Sequence, residues 1–424
     1  MKKTLILIVM LLTYSSLEAK EYTLSDIISL YVNNNRQIKA LKNQQQAKEF
    51  IIKKSEGLKY PSLDADISYN ILNREPKIKT PQGNLPASED KYFMGQLLLS
   101  YIIYDFGQRN SIISQALIDK NLTDLYLKKE INDQVFNIGK IFYQIISLMK
   151  IKETYEEELK SLLEHKKRID AFYEEGLVTR NEVLQINVEI NNTRQKIIKT
   201  ENDIANQKEN LKLMTNIDSD FTLIDTIVFD ENVAFENFNP DERPEVLIAK
   251  TLLTLKEQQL KQINSDYYPK FYAGTGINFE QNKYRVDDYN YFFSVGIKMN
   301  LFSGMSTTNT KKAILKEIDE QKEKFNLAKD IVKTDYNQAI NDYKTSKEKV
   351  NVSKEAIVQA MENLKIQQGK YEEHLISATD LIDATLLLTR ANTNYIISLY
   401  ENKIAFLKIL WAKGSIFSIF GGQK

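Results

Sequence analysis

Residues 173–187 read YEEGLVTRNEVLQIN, and residues 371–385 read YEEHLISATDLIDAT. The two segments align at an offset of 198, and each divides into an acidic helix end, a short apolar turn and a fresh helix start. Gly176 stands where a helix closes through a left-handed residue. Thr179 to Glu182 and Ser377 to Asp380 both fit the S/T-x-x-E/D capping box, in which hydroxyl and carboxylate satisfy each other's backbone N–H. A turn that recurs at fixed spacing marks two copies of one helical hairpin.

The same offset pairs Tyr104 with Phe302, Val183 with Leu381, Ile190 with Leu388 and Asn216 with Gly414, while Tyr60-Pro61 pairs with Tyr268-Pro269 at an offset of 208. The ten-residue difference therefore falls between the proline and Tyr104/Phe302, and the helical part tolerates none. None of the seven prolines lies between 87 and 239 or after 269, leaving two stretches free of the strongest helix breaker. Val183, Ile190, Ile197, Ile204 and Leu211 recur every seven residues, as do Tyr336, Tyr343, Val350, Ile357, Leu364 and Tyr371. Small residues Ala339, Ser346, Ser353 and Ala360 sit between the latter. An ordinary helix would drift about 100° off such a stripe over five heptads, so the pattern predicts coiled coil.

Ahead of each long helix the period changes to two. Leu63, Ala65, Ile67, Tyr69 and Ile71 alternate with Asp64, Asp66, Ser68 and Asn70. Tyr289, Tyr291, Phe293, Val295 and Ile297 do so with Asn290, Ser294, Gly296 and Lys298. Strands of about ten residues with aromatic ends suit a tilted bilayer crossing. The segment 74–90, with three prolines and mixed charge, suits an exposed loop. The expected layout is a signal peptide at 1–19 and a first repeat at 20–216 (helix 24–59, strands 62–73 and 92–104, long helix 108–173, helix 180–214). A linker at 217–243 leads to a second repeat at 244–414 (helix 244–266, strands 270–280 and 289–302, long helix 305–371, helix 378–412) and a tail at 415–424. Lys2-Lys3, the apolar run Leu5 to Leu12 and Leu17-Glu18-Ala19 carry the export expectation.

Four strands are too few for a closed barrel, and open edges are not viable in lipid. Two copies would give about eight strands, which leaves no pore, whereas three would give about twelve strands with a lumen above twelve helical columns. The fold class expected is mainly α with a transmembrane β-barrel contribution: two tandem repeats, each a β-hairpin plus a long coiled-coil helical hairpin, in a trimeric 12-stranded β-barrel on a 12-helix α-barrel. Composition narrows the function. With 57 basic and 57 acidic residues there is no basic excess for nucleic acid, and with no cysteine and two histidines most metal and nucleophile chemistry is gone. No enzyme activity, catalytic residue, metal or cofactor is expected.

The strand-to-helix junctions Tyr104-Asp105-Phe106-Gly107 and Leu301-Phe302-Ser303-Gly304 complete a pattern that resembles the TolC outer-membrane efflux family over about residues 21–415. The resemblance implies a homotrimeric channel in the cell outer membrane that extends into the periplasm. It would be the passive exit duct of a tripartite efflux or type I secretion system. Its partners would be a periplasmic adaptor (membrane fusion protein), an inner-membrane pump or ABC secretion ATPase, and outer-membrane lipid. It also implies an acidic pore constriction at Asp380 and Asp383 and a gate network including Tyr371 and Glu182. Ile376 stands where the family carries an arginine, and His374 where it carries a glycine. The turn residues Gly176, Leu177, Val178, His374, Leu375 and Ile376 are candidates for adaptor docking, although local packing would equally explain the apolar ones. Capping explains Asp380 and Glu182 as well as a pore role does. Asp383 lies one turn further on and is not needed for capping. A periplasmic coiled-coil adaptor or scaffold without a pore is the alternative.

Overall fold

The computed structural model describes residues 20–218, 220–227 and 238–421. The expected signal peptide, the middle of the linker and the last three residues of the tail lie outside the described residues. In chain order, β1 (Lys20–Tyr22), α1 (Leu24–Asn34) and α2 (Arg36–Gly57) precede β2 (Ser62–Ile71), β3 (Lys77–Thr80), β4 (Gly83–Pro86) and β5 (Lys91–Tyr104). Next come α3 (Gln108–Glu174), α4 (Arg180–Thr215), β6 (Phe221–Leu223) and, after a 3-10 turn at Pro240–Glu242, α5 (Pro244–Ser265). Then follow β7 (Lys270–Gln281), β8 (Tyr289–Lys298), α6 (Ser306–Glu372), α7 (Ala378–Lys413) and α8 (Ile416–Phe420). The protein is mainly helical, and two compact units divide it.

One unit gathers Lys39–Glu130 and Asn239–Thr334. Its antiparallel sheet has the order β2-β5-β7-β8, so the two hairpins join through β5 and β7. Strand alternation gives the sheet two unlike faces. One carries the cross-strand ranks Leu63, Leu99, Thr275, Phe293 and Ala65, Leu97, Ile277, Tyr291. These apolar side chains are open to the surroundings, with Ile67 at 82% and Phe293 at 74% exposure. The other face carries Ser62, Ser100, Gly274, Ser294 and Asp66, Gln96, Asn278, Asn290, with Gln96 Nε2 donating to Asn278 Oδ1 across the strands at 2.9 Å. β2 and β8 are the edges, and neither has an outer partner among the described residues. Beside the sheet, Leu122 and Leu125 of α3 pack on Ile248 of α5, and Gln45 of α2 donates to Asp124 at 2.7 Å.

Local chemistry moves three boundaries from their expected places. The helix expected over 24–59 breaks at Asn35, whose Oδ1 accepts from Gln37 N at 2.8 Å and whose Nδ2 donates to the Met214 carbonyl at 2.8 Å. One side chain thus starts α2 and holds the C-terminal end of α4. The exposed segment 74–90 contains the hairpin β3–β4, closed by Thr80 Oγ1 on the Gly83 carbonyl at 2.7 Å. The strand expected to reach 302 leaves the ladder after Lys298, and Asn300 Oδ1 accepts from Phe302 N at 3.2 Å to turn the chain.

The second unit gathers Met1–Ile38, Ile131–Phe238 and Asp335–Lys424. α3 and α6 each have 67 residues, and their returning partners α4 and α7 each have 36. At 1.5 Å rise, 67 residues span about 100 Å. Tyr336, Tyr343 and Tyr371 of α6 are buried, and so are the small residues Ala339, Ser346 and Ala360. The small side chains bring α6 close to α7: Ser346 Oγ accepts from Asn402 Nδ2 at 3.0 Å, and the Ser353 and Ser398 hydroxyls lie 2.7 Å apart. Gly139 of α3 serves similarly, since a Cβ there would collide with Leu407 of α7. α1 buries Leu24, Ile27, Ile28 and Tyr31, and β1 pairs in parallel with β6. Among the described residues no helix is long and apolar enough to cross a membrane.

Candidate functional site

The two hairpin turns, both in the second unit, have the same backbone chemistry. α3 ends with Leu177 N donating to the Phe172 carbonyl at 2.8 Å and Gly176 N to Tyr173 at 3.0 Å. α6 ends with Leu375 N donating to Lys370 at 2.8 Å and His374 N to Tyr371 at 3.0 Å. This is the Schellman closure, which needs a left-handed residue. Gly176 supplies it at φ 74°, while His374 adopts φ 60° despite its Cβ. Three residues on, Thr179 with Glu182 and Ser377 with Asp380 form capping boxes that start α4 and α7. Val178 and Ile376, just before each cap, pack into the core with Val183 and Leu381, as hydrophobic staples.

The turns are also tied to each other. Glu182 Oε2 accepts from Ala378 N, the first helical N–H of α7, at 3.2 Å. Thr379 Oγ1 donates to Gln185 Oε1 at 2.8 Å, and Arg168 Nη1 reaches Glu372 Oε1 at 3.4 Å. Beneath these bonds lies an apolar cluster that includes Leu162, Ile169, Ile186, Tyr371, Leu381 and Ile382. Tyr371 is buried, and its hydroxyl has no hydrogen-bond partner among the described residues. Burial, and then the nearby Glu182 carboxylate, push its phenol above the usual tyrosine range, with Arg168 opposing.

The acidic pair separates by environment. Asp380 is exposed but occupied: Oδ2 accepts from Ser377 N at 3.1 Å and from Ser377 Oγ at 2.8 Å. Asp383 is exposed and makes no hydrogen bond or ion pair among the described residues. The apolar turn residues separate too. Leu177 and Leu375 stand out at 56% and 67% exposure, while Val178 and Ile376 are drawn into the core. The His374 ring lies 4.8 Å from that of Phe172.

Sequence reading missed a buried polar seam on α3. His165 is buried, with Nε2 within 3.3 Å of both the Ser161 and Thr385 hydroxyls and Nδ1 without a partner. Burial lowers its pKa to about 4, with Arg168 adding to the effect. Seven residues earlier, Glu158 is buried and accepts from Thr193 Oγ1 at 2.5 Å and Lys196 Nζ at 3.2 Å. Thr154, Glu158, Ser161 and His165 follow 4-3-4 spacing, so the signal was a polar run at seam positions.

Unlike sheet faces with open edges, together with paired long helical hairpins closed by twin turns, define a TolC-like fold. Residues 27–216 match the family described as outer membrane efflux protein. The fold is that of CusC, whose structures concern folding and transmembrane channel formation (TM-score 0.79, 14% identity, covering 94% of this chain and 92% of that one). It is likewise that of the outer membrane protein VceC from Vibrio cholerae (TM-score 0.79, 14% identity, 92% and 96%). The Campylobacter jejuni CmeC outer membrane channel is similar (TM-score 0.77, 13% identity, 93% and 86%). At these identities the likeness to the solved structures is one of fold. No curated protein matches the sequence significantly. The sequence match to the outer membrane efflux protein family covers 27–216, and over nearly its whole length the chain shares the fold of these channels.

Proposed function

We propose that three copies of this chain close a twelve-stranded barrel in the outer membrane. The barrel would stand on a twelve-helix periplasmic tunnel and form the exit duct of a tripartite efflux or type I secretion system. The observation that carries this reading is the sheet: a polar face, an exposed apolar face, and free edges at β2 and β8. Unpaired backbone in lipid costs several kcal/mol per group, of the order of 4–8 for transfer to hydrocarbon, so the edges require partners. β8 of one copy pairing with β2 of the next supplies them and turns the polar faces inward. The tandem hairpins, with matched helix lengths, would then give four columns per chain.

The duct performs no chemistry, and its energy comes from an inner-membrane pump or ABC secretion ATPase through a periplasmic adaptor. Leu177 and Leu375, the apolar turn residues left in solvent, dock that adaptor. Asp383, free of structural duty, forms the acidic constriction with Asp380 in a second, capping role. Tyr371 and Glu182 belong to the network holding the tips together.

Because the chain has no cysteine, engineered cysteines report assembly cleanly. Single cysteines along β2 and β8 should cross-link into covalent trimers in outer-membrane fractions, and unheated protein should migrate as a trimer. Extraction as a soluble periplasmic monomer would sink the duct and favour the adaptor or scaffold.

A further inference from the structure

The polar face of the sheet is interrupted by aromatic rings seated on glycines. Phe292 lies directly across from Gly276, where a Cβ would come within 3.0 Å of its ring. Tyr272 lies across from Gly296, and a Cβ there would collide with its ring. Between these two ranks runs the small-residue rank Ser62, Ser100, Gly274 and Ser294. Large rings on either side of small residues leave a recess of about 1070 Å³, lined among others by Leu98, Tyr272, Phe292 and Lys298. It lies wholly within the strand-bearing unit of one chain.

Charge enters the recess from one end. Lys270 and Lys298 are directly opposed across β7 and β8, an arrangement that costs free energy unless it is screened or paired. Lys270 has Asp266 at 3.8 Å. Lys298 is exposed and makes no ion pair or hydrogen bond among the described residues. It lies two residues from the Tyr272–Gly296 rank, about 7 Å along the strand. The flexible four-carbon stem of the lysine spans much of that distance, so its ammonium can meet an acid group on the edge of a ring held at that rank.

We propose that this recess is a binding site for planar aromatic anions. The ring system lies against Tyr272 and Phe292, and its carboxylate, sulfonate or phosphate meets Lys298. Aromatic stacking suits flat ligands, and a charge-assisted hydrogen bond from an unpaired ammonium suits their acid group. The site is complete within one chain, while its place on a transport path rests on the duct reading.

Equilibrium dialysis of 2-naphthoate against purified protein in detergent tests the site, with 2-naphthylmethylammonium as the cationic counterpart. Saturable binding of the anion at one site per chain is expected, weakened at least tenfold in Lys298→Gln and in Phe292→Ser. Lys298→Gln removes an exposed, unpaired side chain, so its fold should persist. Equal binding by wild type and Lys298→Gln, equal binding of the cation, or no saturable binding would each overturn the proposal. In planar bilayers, 2-naphthoate should also cause transient current blocks that shorten in Lys298→Gln. Binding without blocks would remove the site from the transport path. Binding by a protein that forms no conducting channel would sink the duct reading and leave the site standing.

Discussion

The Glu182 carboxylate lies 3.2 Å from the backbone nitrogen of Ala378 and also meets Thr179 N at 3.5 Å. One side chain therefore caps two helices, its own α4 and the α7 of the other hairpin. A carboxylate suits both places, since each helix N-terminus carries partial positive charge.

Glu182→Ala should consequently lower stability more than an ordinary cap loss, by about 1–3 kcal/mol for two orphaned N–H groups. Glu182→Gln keeps one acceptor oxygen and should lose roughly half as much. Thermal unfolding followed by circular dichroism measures both. Equal stability of all three proteins would show that the shared cap contributes nothing.

The left-handed positions give a paired test. At Gly176 a Cβ would meet nothing within 4 Å, so Gly176→Ala isolates backbone strain and should cost about 1 kcal/mol. His374→Gly relieves strain of similar size but gives up the ring contact with Phe172, worth about 0.5–1.5 kcal/mol. Its net effect should be smaller than that of Gly176→Ala, as chemical denaturation of both variants would show.

At the entry to α3, Asp105 is buried, accepts from Gly107 N at 3.2 Å and Arg109 N at 3.1 Å, and meets Arg109 Nε at 2.7 Å. Its counterpart before α6, Ser303, reaches Thr307 N at 3.4 Å and the Thr307 hydroxyl at 3.0 Å. Asp105→Ala strands a half-buried guanidinium and should cost about 3–5 kcal/mol, against about 1 for Ser303→Ala. Comparable losses at the two sites, measured as the yield of folded protein and its unfolding midpoint, would contradict the ion-pair account.

His165 sets a pH dependence. Its pKa falls from the usual 6.5 in the unfolded chain to about 4 in the folded one. The folded state thus binds the proton less readily, so this residue's contribution is complete above about pH 6.5 and drains away as pH falls towards 4. Wild type should lose more melting temperature between pH 7 and 4.5 than His165→Gln does. Parallel pH profiles would show that the imidazole is not held neutral by the fold.

What was legible in the sequence followed from local rules. Capping pairs, left-handed turn residues, seam spacing and strand alternation act within a few residues of chain, so Thr179–Glu182, Gly176 and the Leu63–Ile71 alternation could be read directly. What was missed depends on distant partners. Nothing near Asn35 tells that its amide reaches Met214, and nothing near Glu182 tells that Ala378 lies against it. The turn residues resolved only with burial known: adjacent apolar residues at 177–178 and 375–376 read alike, yet one of each pair enters the core and the other does not. The rings of Tyr272 and Phe292 were hidden differently, because alternation assigns a face but not which glycine lies beneath a ring.

The central claim is a conducting duct with an acidic constriction at the helical turns, and single-channel recording in planar bilayers tests it most directly, wild type beside Asp383→Ala. The prediction is a small, cation-selective conductance, blocked by trivalent cations, that becomes larger and less selective in Asp383→Ala. Asp380→Asn should lower selectivity while keeping the cap. Unchanged conductance in Asp383→Ala would move the constriction elsewhere, and no conductance from a folded trimer would contradict the duct itself.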